Sequence, residues 1–236
     1  MEERLTKRER RELKRQQKAD SEVSEVAKKR LMRNIFVVIG IIAVILIIVI
    51  VRAVLTKDIE SISSTGNDPS VGNPDARVVI REYSDFECPA CRTSALSLAK
   101  VVQEYSADEV YFTYNDFPII QLHKNSQKAA IAAQCANKQE KFWEYHDRLF
   151  LDQAGWKELE DPRDKFIAYA NAFELDSDMF AVCIDEEQTK YLVEEDFNEA
   201  RELDINSTPT YFINGIRYVG AKDENGWRDL IDSFLK

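Results

Sequence analysis

Three hydrophobic patterns follow one another along the chain. The first is unbroken: Ile35–Val51, IFVVIGIIAVILIIVIV, holds no charge and no proline. As a helix it is about 25 Å long, and Ala53–Leu55 extends it past Arg52, whose stem can carry its charge to the headgroups. A surface that is apolar all round does not suit a helix packed by one stripe on a soluble core. The run therefore predicts a single transmembrane helix over 34–55. The second pattern is β-rich. RVVIREYSDF (Arg77–Phe86) and EVYFTYNDF (Glu109–Phe117) predict strands, and Leu98, Val101, Val102 and Tyr105 keep helical spacing between them. The third is helical from His123 to about Leu203, through the alanine-rich SQKAAIAAQCANK, EKFWEYHDRLF and a helix opened by Pro162. PTYFINGIRYVG then predicts two short strands around Asn214-Gly215, a type I′ hairpin signal. Trp227, Leu230, Ile231 and Phe234 give a closing helix with one apolar face.

Charge adds a direction to the anchor. Residues 1–33 carry 12 Lys/Arg and 7 Asp/Glu, whereas the whole chain of 236 residues has a net charge of −10. Lys28, Lys29, Arg30 and Arg33 crowd the N-terminal flank, with only Arg52 and Lys57 beyond, so the positive-inside bias predicts a cytosolic N-terminus and an extracytoplasmic remainder. A cleaved signal peptide is disfavoured by the long basic leader, the length of the apolar run and the lack of a convincing cleavage site near Ser61-Ile62-Ser63. The basic leader is diluted by acids, which argues for a solvated juxtamembrane segment at the lipid surface and against nucleic acid as a partner. TKDIESISSTGNDPSVGNPD (Thr56–Asp75), rich in Ser, Asn, Gly and Pro, predicts a flexible linker with a reach of about 25 Å. The domain order is then 1–33 cytosolic, 34–55 anchor, 56–75 linker and 76–236 the folded exterior part.

The candidate chemistry sits where the first exterior strand gives way to a helix. Cys88-Pro89-Ala90-Cys91 is a redox dithiol, half of a zinc site, or a plain structural disulfide. Zinc lacks a matching second pair, because Cys135 and Cys183 lie 48 residues apart. A structural bridge closing so short a loop restrains the unfolded chain little. At a helix start, Cys88 can take the N-cap and Pro89 the first turn, where free N–H groups and the dipole favour a Cys88 thiolate. Cys91 lies one turn deeper, as a resolving thiol. Asp85 and Glu87 flank the motif as solvated anions that oppose that thiolate. Of the two histidines, His146 falls on an apolar helix face as a core residue, and the role of His123 is open.

CPAC after EYSDF, then DFPI, AAQCA, KFWEYHDRLF and STPTYFING, resembles membrane-anchored thiol–disulfide oxidoreductases of the DsbA family, over about Arg77–Lys236. The strand and helix order agrees: a thioredoxin-like α/β fold with a helical insertion over about 121–204. The resemblance implies that Pro209 is a cis-proline beside the cysteines, that the Thr208 backbone holds substrate, and that Glu82 is a buried carboxylate moving protons near Cys91. The alternative for Glu82 is a surface acid at a strand edge. Cys135 and Cys183 match a cysteine pair seen in some members of that family, implying a structural disulfide, with two free thiols as the alternative. Strongly oxidising relatives carry histidine inside the motif where this chain has Ala90, so the resemblance implies exchange more firmly than strong oxidation. It implies no metal and no cofactor beyond a redox-active Cys88–Cys91 disulfide. The implied partners are exported cysteine-containing proteins and a quinone-linked membrane reoxidase resembling DsbB or vitamin K epoxide reductase-like proteins. Running as a reductase or isomerase is the nearest rival. A Cu(I) carrier is disfavoured by only three methionines, none near the motif; a peptide-binding module is the third alternative.

Overall fold

A computed structural model describes residues 44–47 and 68–236. Residues 44–47 are helical. No helix among the described residues is long and apolar enough to cross a membrane; the span expected over 34–55 lies, apart from those four residues, outside the described part, as do the leader and the linker up to residue 67.

Residues 68–236 are built on a five-stranded sheet in the order β1-β3-β2-β4-β5. Its strands are β1 (Ser70–Val71), β2 (Val78–Ser84), β3 (Val110–Asp116), β4 (Thr210–Ile213) and β5 (Ile216–Val219). β2 and β3 run parallel, joined by helix α1 (Pro89–Val102); the other pairings are antiparallel. Between β3 and β4 come α2 (Ser126–Asn137), α3 (Phe142–Leu151), the short α4 (Gln153–Trp156), α5 (Arg163–Ala172), α6 (Ser177–Asp185) and α7 (Lys190–Glu202), and α8 (Glu224–Leu235) closes the chain. The helical insertion thus occupies the expected place, and Asn214 and Gly215 turn the β4–β5 hairpin with φ of 46° and 80°, as a type I′ turn requires.

β2 is central and buried on both faces, and its two-residue period sorts its side chains. Val78 and Ile80 join Leu98 and Val101 of α1 and Trp227 and Ile231 of α8 in one core. Arg81 and Tyr83 face the other way, toward α7, where Glu199 takes a two-pronged bond from Arg81 at 3.0 and 2.8 Å and another from the Tyr83 hydroxyl at 2.9 Å. A second core joins the insertion to the sheet through Phe86, Tyr114, Phe142, Tyr145 and Phe150. His146 lies within it, 3% exposed, with the rings of Tyr114 and Phe150 both at 4.9 Å.

One difference from the sequence reading concerns the linker. Ser70–Val71 pairs with β3 at the sheet edge, and Pro69 accepts from the Tyr114 N–H at 3.0 Å. The end of the segment read as flexible is therefore part of the sheet. Gly72 follows with φ of +100°, where a Cβ would collide with the Val110 carbonyl oxygen.

Candidate active site

Cys88 is the N-cap of α1, with extended backbone (φ −71°, ψ 124°), and Pro89 occupies the first helical turn. Both Pro89 and Ala90 are exposed, while Cys88 is 8% exposed and Cys91 is fully covered. Both sulfurs are free thiols. The turn before them is held from several sides. The Cys88 N–H donates to the Asp85 carbonyl at 3.0 Å, and Gln153 Nε2 donates to the Phe86 and Cys88 carbonyls at 2.8 and 3.1 Å. From across the sheet, the cis Thr208–Pro209 bond brings the Thr208 carbonyl to 3.6 Å from the Cys88 sulfur.

The two thiols are electrostatically unequal. Cys88 is lowered to about 5, first by the hydrogen bond it accepts from the Cys91 thiol, then by Thr208 and by the N–H groups of Cys91 and Ala90, against its own partial burial. Cys91 is pushed well up by burial and by the neighbouring Cys88. A negative charge on the pair therefore resides on Cys88.

Glu82 follows Ile80 on the face of β2 that looks toward α1, which puts it beneath the dithiol and not at a strand edge. It is 1% exposed. Tyr211 Oη, from the directly paired residue of β4, lies 3.0 Å from Glu82 Oε1 and 2.7 Å from Ser94 Oγ. Burial raises Glu82 to about 7, and the bonds from Ser84 and Tyr211 only partly oppose this. The folded protein thus binds this proton more tightly than the unfolded chain. The resulting stability is complete below the ordinary value of 4.5 and is lost as pH rises through about 7. Above that, the buried carboxylate costs about 3 kcal/mol relative to its protonated form. Glu82→Gln is expected to be more stable than the parent by about 2–3 kcal/mol at pH 8 and to lose that advantage by pH 5. Urea unfolding at the two pH values measures this, and parallel profiles for the two proteins would contradict it.

Asp85 and Glu87 correct the sequence reading. They are 1% and 7% exposed, not solvated. Asp85 accepts from the Glu87 and Ile119 N–H groups and lies beside His123 Nδ1, each at 2.8 Å. Glu87 accepts from the Asn125 N–H at 2.8 Å. Both carboxylates tie the turn before Cys88 to the loop after β3. Elsewhere, Cys135 on α2 and Cys183 on α6 form a disulfide. Tyr211, Ser94 and Gln153 were not singled out by the sequence. Tyr211 sits inside the STPTYFING stretch that carried the resemblance, and was the one of the three within reach.

Comparison with known proteins agrees with this geometry. A family model described as Thioredoxin matches residues 64–233. Over 156 residues the chain is 34% identical to the Na(+)/H(+) antiporter NhaA 1 of Mycobacterium sp. (strain KMS), covering 64% of this chain and 24% of that protein. The chain thus spans about a quarter of the length of the curated relatives it first matches. It is 28% identical over 173 residues to the probable disulfide bond formation protein D of Bacillus cereus, covering 71% of this chain and 78% of that one. Among solved structures, alpha-DsbA1 of Wolbachia pipientis superposes with a TM-score of 0.66 at 23% identity, over 75% of this chain and 95% of that chain, a likeness of fold. The chain belongs to the thioredoxin family.

Proposed function

We propose that the chain is a membrane-anchored oxidant that introduces disulfides into exported proteins by exchange at Cys88–Cys91. The observation that supports this direction is the inequality of the two thiols: a Cys88 held near 5 stabilises the reduced form, and a dithiol with a stable reduced form is an oxidant. In the forward step a substrate thiolate attacks the Cys88 sulfur of the Cys88–Cys91 disulfide. The S–S bond breaks, its electron pair leaves on Cys91, and Glu82 supplies the proton that the buried Cys91 sulfur needs. A second substrate thiolate then attacks the mixed disulfide and expels Cys88 as a thiolate. The substrate has lost two electrons and two thiol protons, and the protein holds the two electrons as its dithiol. A quinone-linked membrane partner, resembling DsbB or vitamin K epoxide reductase-like proteins, takes them back. Thr208, whose carbonyl lies 3.6 Å from the Cys88 sulfur, is proposed together with Pro209 to hold the substrate backbone.

In this reading residues 34–55 anchor the chain in the cell membrane, with the N-terminus cytosolic, and residues 56–67 tether the domain. No cofactor beyond the Cys88–Cys91 couple is involved. Equilibration of the purified protein with glutathione tests the direction. A potential at or above about −180 mV is expected, whereas a thioredoxin-like value near −270 mV would make it a reductase.

A further inference from the structure

The motif contains no basic residue, yet His123 is hydrogen-bonded to the turn that carries it. Asp85 is buried three residues before Cys88, and its backbone carbonyl accepts from the Cys88 N–H at 3.0 Å. Its Oδ2 is 2.8 Å from both the Ile119 N–H and His123 Nδ1, so the loop after β3 and the turn carrying Cys88 form one hydrogen-bonded piece. With a carboxylate against Nδ1, that nitrogen is the donor, which fixes the ring. The His123 side chain keeps 19% of its surface exposed, while that of Asp85 keeps none. The imidazole is therefore anchored at Nδ1 and partly open to solvent, on a loop tied to the turn that carries Cys88. We propose that His123, oriented by Asp85, is the positioning residue that supplies the positive charge to the Cys88 thiolate which Ala90 does not.

The charged groups around the ring favour its protonated form. The hydrogen bond to Asp85 raises His123 most, burial opposes, and the charges of Asp85, Glu87 and Cys88 raise it further. Those three acids come from the turn before α1. On its own loop Lys124 Nζ donates to the Glu158 carbonyl at 3.0 Å, and Asn125 Nδ2 donates to the Lys157 carbonyl at 3.0 Å, which ties the charged residues Lys157 and Glu158 after α4 to that loop. Asp85 and Glu87 are acids on the same turn as Cys88, so a positive charge on His123 offsets their effect on a thiolate there.

This inference rests on Cys88 being the exchanging thiolate, but its test does not require exchange. The His123 ring protons are titrated by NMR in the reduced full chain and in Cys88→Ser. Loss of the thiolate is expected to lower the His123 pKa, since the two charges are reciprocally coupled. Thiolate absorbance of the reduced protein gives the other half: His123→Gln is expected to weaken Cys88 ionisation about three- to tenfold, and His123→Lys to restore it. Identical His123 titrations with and without the thiolate overturn the proposal, as does a His123→Gln protein whose Cys88 titrates like the parent. If the parent fails to exchange with glutathione while the titrations shift as stated, the functional reading fails and this one stands.

Discussion

Replacing Cys88 by serine is expected to reduce disulfide exchange by at least about 10³-fold while leaving the protein folded, because the attacking and leaving species is a thiolate and a serine hydroxyl does not ionise near neutral pH. The two halves of that expectation come from the same position. Cys88 caps α1, and serine is among the best residues for an N-cap, so the substitution offers the first-turn N–H groups a better acceptor than sulfur. Loss of activity with unchanged or slightly raised stability would separate chemistry from structure. Cys91→Ala is its complement. It retains the attacking sulfur but removes the thiol whose hydrogen bond does most to lower Cys88, so mixed disulfides with substrate should form and persist. Mass spectrometry of the trapped species reads both variants. Residual exchange in Cys88→Ser above a few thousandths of the parent rate would show that Cys91, despite its burial, can be reached directly.

The second large effect belongs to the helical insertion. Removing the Cys135–Cys183 bridge as the double alanine variant is expected to cost about 4 kcal/mol and to lower Tm by about 10–15 °C. The two sulfurs close a loop of sequence separation 48, joining α2 to α6 across residues that include α3, α4 and α5. An unfolded chain freed of that closure gains the entropy, whereas the folded one changes little because both positions are already buried at 1% and 5% exposure. Alanine is the sharper probe than serine, which would add an unpaired hydroxyl to that core. Exchange at Cys88 should survive in the cold, since α1 carries the active pair and neither bridged helix contributes to it. A loss of less than about 1 kcal/mol would mean that the insertion stays ordered in the unfolded ensemble.

How much of this was legible follows the range of each interaction. The β-rich composition of RVVIREYSDF, the Asn214-Gly215 pair and the Trp227–Phe234 face are local signals, and the corresponding elements stand where those signals lie. Ser70–Val71 is too short to alternate and exists through its register with Thr113 and Phe112, so nothing in its own residues announced a strand. The acids beside the motif failed for a related reason. Besides the nearby Glu87 N–H, Asp85 finds partners 34 and 38 residues away, and one of these is a backbone N–H, which no sequence pattern marks. An acid without a visible partner is by default assigned to solvent. Glu82 escaped that default only through the resemblance.

The alternation of β2 has one more implication. Arg81 and Glu82 are adjacent, and they serve opposite faces of the same central strand: one is locked to Glu199 under α7, the other lies beneath the dithiol. Sliding β2 by a single position against its neighbours would exchange them, setting a guanidinium where the buried carboxyl belongs and an unpaired carboxylate where the ion pair was. A molecule assembled in that wrong register would bury two uncompensated charges, so the stability of the fold itself selects the register in which the sheet is threaded.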